Sequence, residues 1–376
     1  MSHTLLITND FPPRAGGIQT FCYELACRFN PSDITVLASS FDGDAQFDAQ
    51  LPFRVVRSSS KVLLPTTATL RLARQLITET GARNVIFGAA APLGLLAKPL
   101  RGVGVINAIA LTHGHEVGWA KTPVTASAIR KIATDVDVVT YLGQYTRDRI
   151  QQSVRQSDRA KFVQLAPGVD PTFFSPAHLP TATQLRSEIG FANRPTIVCV
   201  SRLMARKGQD ALIEAMPQIQ QQVPGTALII VGDGPYRAKL EQKVRALALS
   251  GDVHFTGKVA YEQLPAWYLT GDVFAMPCRT RNAGWDVEGL GIVYLEASAC
   301  GLPVVAGNSG GAPDAVLNGQ TGIVVDGRGQ SEIVGAIAQL LTNRALASQM
   351  GGAGRVWVEQ KWTWDHSYRK LRELLI

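Results

Sequence analysis

Short apolar runs rich in valine and isoleucine alternate with helical patterns along almost the whole of this 376-residue sequence. Such alternation is typical of βαβ units, which build parallel sheets with helices packed on their faces. The strands predicted in the first half are residues 5–8, 34–37, 53–56, 84–87, 104–109, 136–140 and 162–165. Those predicted in the second half are residues 196–200, 227–231, 253–255, 273–276, 304–306 and 322–325. The pattern therefore predicts an α/β protein with two doubly wound, Rossmann-like domains.

A proline-punctuated segment without a regular period, residues 166–176, is the best candidate for a domain boundary. We predict a first domain over residues 1–168 and a second over residues 169–355. A C-terminal helix over residues 356–376 is expected to cross back onto the first domain. Doubly wound folds bind ligands at the carboxyl ends of their strands. Functional residues are therefore sought in the strand-to-helix loops that face the expected cleft between the domains.

The basic excess of the sequence is concentrated in its first half. Overall, 37 Lys and Arg oppose 30 Asp and Glu, a net charge of +7, and residues 61–161 alone hold 14 basic and 6 acidic side chains. This local excess indicates an anionic partner for the first half. No clustered basic stripe with base-stacking aromatic residues accompanies it, which argues against a nucleic-acid-binding protein.

Cysteine usage and apolar segments favour a cytoplasmic protein. The five cysteines are scattered and form no CxxC pair, so neither a disulfide framework nor a zinc site is expected. The first apolar run is too short for a signal peptide. The longest one, residues 85–97, contains Pro92 and falls well short of the roughly 20 residues that a membrane-spanning helix needs. Any contact with a membrane is therefore expected at its surface.

Gly16 and Gly17 lie in the loop between the first predicted strand and a helix that begins near Ile18. Glycines let a ligand approach the backbone closely, and the following helix N-terminus offers free N–H groups to an anion. A tight turn without a ligand is the alternative interpretation. The loop does not match the dinucleotide fingerprint G-x-G-x-x-G, so a dinucleotide-dependent oxidoreductase is disfavoured. The sequence also contains no P-loop.

Arg202 and Lys207 follow the strand that ends near Val200 and precede a predicted helix. A guanidinium offers a planar fork of donors and an ammonium offers a mobile point charge, so together they suit a diphosphate. A solvated, charged turn is the alternative. The position at the carboxyl end of a strand favours the diphosphate site.

Glu288 and Glu296 are separated by seven residues. Gly289 and Gly291 predict a loop there, and a helix from about residue 291 places Glu296 roughly 7 Å further along its axis. One carboxylate can then face a reacting sugar while the other accepts hydrogen bonds from a ribose. Ordinary acids at a helix start are the alternative. The apolar neighbours of the pair favour burial, where an unpaired carboxylate is costly.

His115 lies in the segment 112–116, directly after a predicted strand. The spacing of its histidines is not HExxH, so a catalytic zinc site is not expected. A structural histidine is the alternative to a functional one. Its place near the expected cleft makes His115 a candidate hydrogen-bond partner of a substrate.

Together, the four motifs resemble those of the family-4 retaining glycosyltransferases and follow one another along the chain in that family's order, and the resemblance covers the whole chain. It implies the GT-B architecture of two Rossmann-like domains with the active site in the interdomain cleft. The segments THGHEVGWA, SRLMARKGQD and VEGLGIVYLEASACGLPV resemble, within that family, actinobacterial enzymes that transfer mannose from GDP-mannose to a phosphatidylinositol mannoside. The resemblance implies an α-1,6 linkage made with retention, in the synthesis of mannolipid and lipomannan precursors. A UDP-sugar donor, or another lipid or small-molecule acceptor, stays open as the alternative.

The resemblance also implies roles for the motif residues. The first domain would bind the acceptor and the second the nucleotide sugar. Arg202 and Lys207 would neutralise the departing diphosphate with help from the amides of Gly16 and Gly17, so that no metal or prosthetic group is needed.

Glu288 would contact the donor sugar, His115 would hydrogen-bond to it, and Glu296 would contact the ribose. The catalytic set implied is thus Glu288, His115, Arg202 and Lys207. Further donor contacts are expected from Gly289, Leu290, Gly291, Ile292, Lys258 and Val259.

For the acceptor, the resemblance implies an anionic phosphoinositide-type lipid on the cytoplasmic face of the membrane. Arg14 and Lys121 are the candidates for contact with it. The amphipathic segment 66–80 could lie on a membrane surface, but an ordinary core helix is the better interpretation.

Overall fold

The computed structural model describes residues 2–376 and divides them into two compact units. The first unit contains the chain up to Gly168 together with Trp364–Ile376, and the second contains Val169–Thr363. Each unit is built around one parallel sheet. The predicted α/β fold with two Rossmann-like domains is therefore confirmed, and each predicted strand is present with ends that shift by three residues at most.

Within the described residues, the first unit holds a seven-stranded sheet in the order β3-β2-β1-β4-β5-β6-β7. Its strands are β1 (Thr4–Thr8), β2 (Ile34–Ala38), β3 (Arg54–Arg57), β4 (Asn84–Phe87), β5 (Asn107–Ala110), β6 (Val138–Tyr141) and β7 (Phe162–Gln164). The order reverses between β1 and β4, which makes their carboxyl ends the switch point where such sheets bind ligands.

The helices of the first unit cover both faces of this sheet. They are α1 (Gly17–Ala26), α2 (Asp44–Asp48), α3 (Thr67–Thr80), α4 (Ala97–Arg101), α5 (Glu116–Ala120), α6 (Pro123–Asp135), α7 (Gln144–Gln151) and α15 (Trp364–Glu373). Successive side chains of a strand point to opposite faces. Leu5 and Ile7 of β1 accordingly belong to one buried cluster, while Leu6 belongs to another.

Helix α3 is a core helix. Thr66 caps it by accepting the N–H of Thr69, and its buried residues Ala73, Leu76 and Ile77 join the cluster around Leu5 and Ile7. The apolar face of this segment thus packs on the sheet, which confirms the preferred interpretation as a core helix over the alternative of a membrane-surface helix.

Helix α15 packs on the first unit, where Leu371 is fully buried and the ring of Trp364 lies 6.0 Å from that of Phe21. The returning segment begins at Trp364 and not at residue 356 as predicted. The reason is that the preceding helix runs on to Lys361 and buries Val358 in the second unit.

The second unit holds, within the described chain, a six-stranded sheet in the order β10-β9-β8-β11-β12-β13, with its switch point between β8 and β11. The strands are β8 (Thr196–Val200), β9 (Ala227–Val231), β10 (Val253–Gly257), β11 (Val273–Met276), β12 (Val304–Gly307) and β13 (Gly322–Val325). The helices are α8 (Leu179–Glu188), α9 (Gln209–Gln222), α10 (Arg237–Ala246), α11 (Leu264–Tyr268), α12 (Ile292–Ala299), α13 (Gln330–Thr342) and α14 (Arg344–Lys361). In residues 2–376, no helix combines the length and the apolar character needed to cross a bilayer.

Candidate active site

In the second unit the candidate site lies beyond the carboxyl end of β8, beside the switch point. The loop after β8 ends in a helical turn over Ala205–Lys207, and α9 starts directly after Gly208. Gly208 has a φ of +82°, and a Cβ there would lie 2.1 Å from the carbonyl oxygen of Pro277. Glycine therefore lets this loop lie directly against the loop that follows β11.

The centre of the site is an ion pair between Lys207 and Glu288. The Lys207 Nζ lies 2.7 Å from the Glu288 Oε2, and the two side chains are only 10% and 8% exposed. The Arg206 Nε lies 3.8 Å from the same oxygen. The buried carboxylate is thus compensated by two cations, which confirms the predicted burial of Glu288. The sequence indicated both residues of the pair but not that they contact one another.

Arg202 occupies the same loop as Lys207 but is exposed. The backbone of this loop is fixed by Gln209, whose Nε2 donates to the Arg202 carbonyl at 3.2 Å and to the Ser201 Oγ at 2.9 Å. One cation of the predicted pair is therefore locked in an ion pair, and the other presents its guanidinium to solvent.

The turn from Glu288 to α12 is held by backbone contacts. The Glu288 carbonyl accepts the N–H of Gly311 at 2.9 Å. Gly291 has a φ of +79°, and a Cβ there would lie 2.4 Å from the ring of Tyr294. Leu290 is buried, and Ile292 begins the helix. The first N–H groups of a helix lack intrahelical acceptors and carry partial positive charge, so this turn is suited to an anion.

Glu296 lies one turn further along α12, where its Oε2 accepts the Tyr268 hydroxyl at 2.5 Å. Burial raises the pKa of Glu296 to about 7, while the Tyr268 hydrogen bond and the charge of Lys207 act in the opposite direction. Tyr268 was not predicted as a site residue, because nothing in its local sequence distinguishes it.

A second ionic group braces the loop after β11. The Arg279 N–H donates to the Arg206 carbonyl at 2.8 Å, and its guanidinium contacts the Asp210 carboxylate at 2.5 Å. Asp210 also accepts the Tyr236 hydroxyl at 3.0 Å. These residues were not predicted, because their partners are distant in sequence.

Lys258 and Val259 lie beyond the end of β10, two strands away from β8 in the sheet order. Lys258 is exposed and Val259 is partly exposed. Both therefore lie at the same edge of the sheet as Lys207, and their predicted contact with the donor stays a prediction.

In the first unit, the loop after β1 carries Gly16 and Gly17 into α1, and Arg14 lies exposed in the same loop. A Cβ on Gly16 would lie 2.2 Å from the Gln19 Oε1, whereas one on Gly17 would meet nothing within 4 Å. Gln19 is held by donating its Nε2–H to the Asp10 carboxylate at 2.6 Å. A Cβ at Gly16 would therefore require the Gln19 side chain to shift, whereas Gly17 has open space beside it.

In the segment after β5, His115 lies against the buried carboxylate of Glu116. Glu116 is fully buried, accepts the His113 N–H at 2.9 Å, and lies 3.3 Å from the His115 Nε2. The Nε2–H of His113 donates to the Gly88 carbonyl beyond β4, and burial lowers the pKa of His113. His115 itself is 41% exposed.

The predicted motifs of the first unit thus gather at its switch point, because β1, β4 and β5 are neighbours. His115 was predicted as a site residue, but Glu116, which contacts it, and His113, which contacts Glu116, were not. The adjacent HGHE letters were a usable signal for both. Lys121 is exposed just after α5.

No three His, Cys, Asp or Glu side chains in residues 2–376 are grouped so that they could hold a metal ion. The five cysteines are free thiols. The second-unit site offers an exposed guanidinium, a buried ammonium–carboxylate pair and a helix N-terminus, a combination that can bind a diphosphate.

Comparison with known proteins gives matches along the whole chain. Residues 15–173 match the family model described as Glycosyltransferase Family 4, and residues 182–357 match that of Glycosyl transferases group 1. The chain is similar to the GDP-mannose-dependent alpha-(1-6)-phosphatidylinositol monomannoside mannosyltransferase of Mycobacterium tuberculosis. The two are 48% identical over an alignment of 382 positions, which covers 100% of this chain and 98% of that protein.

A second relative is the GDP-mannose-dependent monoacylated alpha-(1-6)-phosphatidylinositol monomannoside mannosyltransferase of Corynebacterium glutamicum. It is 42% identical over 375 residues, which cover 99% of this chain and 97% of that protein. Among solved structures, Anabaena HepE in complex with UDP matches with a TM-score of 0.81 at 19% identity and covers 99% of both chains. That likeness concerns the fold, which is GT-B.

Proposed function

The chain belongs to the family 4, group 1 glycosyltransferases, and we propose that it transfers mannose from GDP-mannose to a phosphatidylinositol mannoside, forming an α-1,6 linkage with retention. Relatives whose names state this donor and acceptor match the chain over nearly its full length. Within the molecule, the observation that carries the proposal is the buried Lys207–Glu288 pair beside the exposed Arg202.

The diphosphate is the part of the donor that this site suits best. When the bond between C1 of the mannose and the β-phosphate oxygen breaks, its electron pair leaves with GDP and negative charge grows on the phosphate. The buried Lys207 and the first N–H groups of α12 supply fixed positive charge for that group, and the exposed guanidinium of Arg202 would add to it on binding. Because this charge is already in place, we propose no metal ion for the reaction.

The acceptor hydroxyl would attack C1 from the face that GDP leaves, which preserves the α configuration. Its proton passes to the departing phosphate oxygen, so no separate base is needed. Glu288 is held 2.7 Å from Lys207 and also lies near Arg206. An ion-paired carboxylate is a weak nucleophile, but it can hold a neighbouring group in place. We therefore assign Glu288 to positioning of the Lys207 ammonium and the donor sugar.

The remaining donor contacts follow from the same proposal. Glu296 would accept hydrogen bonds from the ribose hydroxyls, and His115 would bond to the sugar. Lys258 and Val259, beyond β10, would lie near the base. Gly16 and Gly17 would offer backbone N–H groups to the phosphates.

An exposed apolar loop in the first unit supports a lipid-bound acceptor. Val62 and Leu64 are 54% and 50% exposed, and Lys61 beside them is also exposed. Between them Leu63 is buried, and the Asn9 side chain fixes its backbone with hydrogen bonds of 2.8 and 2.6 Å. Exposed apolar side chains next to a basic one are typical of segments that enter an anionic membrane interface.

We therefore propose that the protein works as a peripheral enzyme on the cytoplasmic face of the inner membrane. The basic excess of residues 61–161 would attract the anionic surface. Arg14 and Lys121, which are exposed and are not among the proposed donor contacts, would contact the phosphoinositide headgroup.

The test of the transfer is an incubation of the protein with GDP-mannose and phosphatidylinositol monomannoside. The expected products are GDP and a dimannosylated lipid with an α-1,6 linkage. Turnover with a UDP-sugar and a soluble acceptor, but none with this pair, would overturn the donor and acceptor while leaving the family unchanged.

Membrane contact is tested separately with vesicles that contain phosphatidylinositol. Val62→Asp with Leu64→Asp should weaken vesicle binding strongly, whereas Val356→Asp is the matched control because Val356 is 50% exposed on α14 of the second unit. Equal binding of both variants would contradict the assignment of the loop.

A further inference from the structure

Tyr268 is a fully buried tyrosine whose hydroxyl reaches the candidate donor site. It ends α11, and its hydroxyl donates to the Glu296 Oε2 at 2.5 Å. Its ring packs edge-on against Phe174, with ring centroids 5.8 Å apart, and lies 5.6 Å from the ring of Phe274. The position of the hydroxyl is thus set by packing and not by solvent.

The charge state of Glu296 decides what this carboxyl group can accept. An ionised carboxylate is an acceptor only, and its two oxygens can take the Tyr268 hydroxyl together with ribose hydroxyls. A protonated acid loses part of that capacity. Burial raises the pKa of Glu296 to about 7, and the Tyr268 hydrogen bond is the first of the contacts that oppose this rise.

The other groups around this pair are few. Lys207 favours the ionised form of Glu296 through its charge. Cys300 interacts with both Glu296 and Tyr268, and Cys199 interacts with Tyr268; burial raises the pKa of both thiols, so they stay neutral. Arg355 of α14 donates to the Ala299 carbonyl and acts on Cys300.

We propose that Tyr268 is a positioning residue of the donor site, whose hydroxyl holds the Glu296 carboxylate in the orientation that accepts the ribose hydroxyls. This inference rests on the proposed function, because it assigns Glu296 to the ribose. Tyr268 does not touch the donor. It acts through the carboxylate, so its removal should change how donor binding depends on pH.

The experiment measures the affinity for GDP-mannose by calorimetry from about pH 6 to about pH 8.5. GDP-mannose is the chosen ligand because its diphosphate has no proton to release in this range. Wild-type affinity should rise with pH as Glu296 ionises. In Tyr268→Phe the rise should move to higher pH, so that affinity falls about three- to tenfold near neutrality and recovers in alkaline solution.

Tyr294→Phe is the matched control. Tyr294 is also fully buried, but its hydroxyl donates to the Met276 carbonyl at 2.7 Å. Losing this bond should lower the stability of the protein about as much as Tyr268→Phe does, without moving the pH at which donor affinity rises. A purely structural role for Tyr268 would make the two variants behave alike.

The outcomes separate the two proposals. If the wild type fails to bind GDP-mannose at any pH, the proposed function fails. If it binds and Tyr268→Phe keeps the wild-type pH dependence, the positioning role is overturned. If Tyr268→Phe does not fold, Glu296→Gln decides, because it keeps an acceptor for Tyr268 but cannot ionise. Its donor affinity must then lose the pH dependence, and an unchanged profile would refute the inference.

Discussion

Replacing Lys207 by methionine should destabilise the second unit, because the buried Glu288 carboxylate then loses its ion-pair partner. Both side chains are about nine-tenths buried and their charged atoms are 2.7 Å apart, so solvent screens the pair little. Removing one partner of such a pair costs about 3–5 kcal/mol. Arg206 remains 3.8 Å from the carboxylate, so we expect the low end of that range, about 3 kcal/mol. For a unit of this size this corresponds to a fall in Tm of about 6–12 °C.

The assay is a double-mutant cycle of Lys207→Met, Glu288→Gln and the double variant, followed by thermal unfolding. The double variant removes both charges, so its loss of unfolding free energy should be smaller than the sum of the two single losses. The difference, which is the coupling energy, should be about 1.5 kcal/mol or more. Glu241→Gln is the control. It breaks the Arg237–Glu241 pair, which has the same 2.7 Å separation but is 34% and 36% exposed, and should cost less than about 1 kcal/mol.

Additive losses, with a coupling below about 0.5 kcal/mol, would refute the reasoning, since the two charges would then act independently. A second readout connects the pair to the donor. GDP-mannose should raise the Tm of the wild type by mass action and raise that of Lys207→Met much less.

Three further changes test other parts of the site. Arg202→Ala should leave Tm nearly unchanged, because the side chain is exposed, but should weaken GDP-mannose binding by about tenfold or more in calorimetry, as expected for a lost charged hydrogen bond. Gly291→Ala should destabilise the protein by about 1 kcal/mol or more beyond Gly81→Ala, the cost of overpacking. Both glycines have positive φ, but of the two only Gly291 would bring a Cβ against a neighbour, the Tyr294 ring. Burial lowers the pKa of His113, so the unfolded chain binds the extra proton and stability should fall from about pH 7 to about pH 5. The free energy of unfolding of His113→Gln should lose less over that range, and an equal loss would contradict the role given to burial.

The strands and the loops that carry function could be predicted because they depend on local patterns. A buried parallel strand is a short apolar run, and its following loop is fixed by connectivity. Lys207 and Glu288 were therefore placed in the right loops. Their ion pair could not be predicted, since it depends on β8 and β11 being neighbours in the sheet, and the sequence of neither segment determines the strand order.

The same limit explains the other misses. Tyr268 meets Glu296 only through the packing of α11 against the sheet, and Glu116 is distinguished from a surface acid only by its complete burial. The predicted start of the returning helix, residue 356, was too early because tertiary contacts of Val358 extend the second unit past residue 355. The segment 66–80 was weighed correctly, since helical periodicity alone predicts an apolar face but not what covers it.

The interrupted first unit has a consequence for synthesis on the ribosome. The second unit is one continuous stretch, Val169–Thr363, and its residues have all been made before Trp364 is added. The first unit lacks Leu371 and Trp364 until then, so the cluster that they share with Leu6 of β1 and Phe21 of α1 stays incomplete while the rest of the chain is translated. Exposed apolar surface of that kind is what chaperones bind and what aggregates. The unit that is made first is thus completed last.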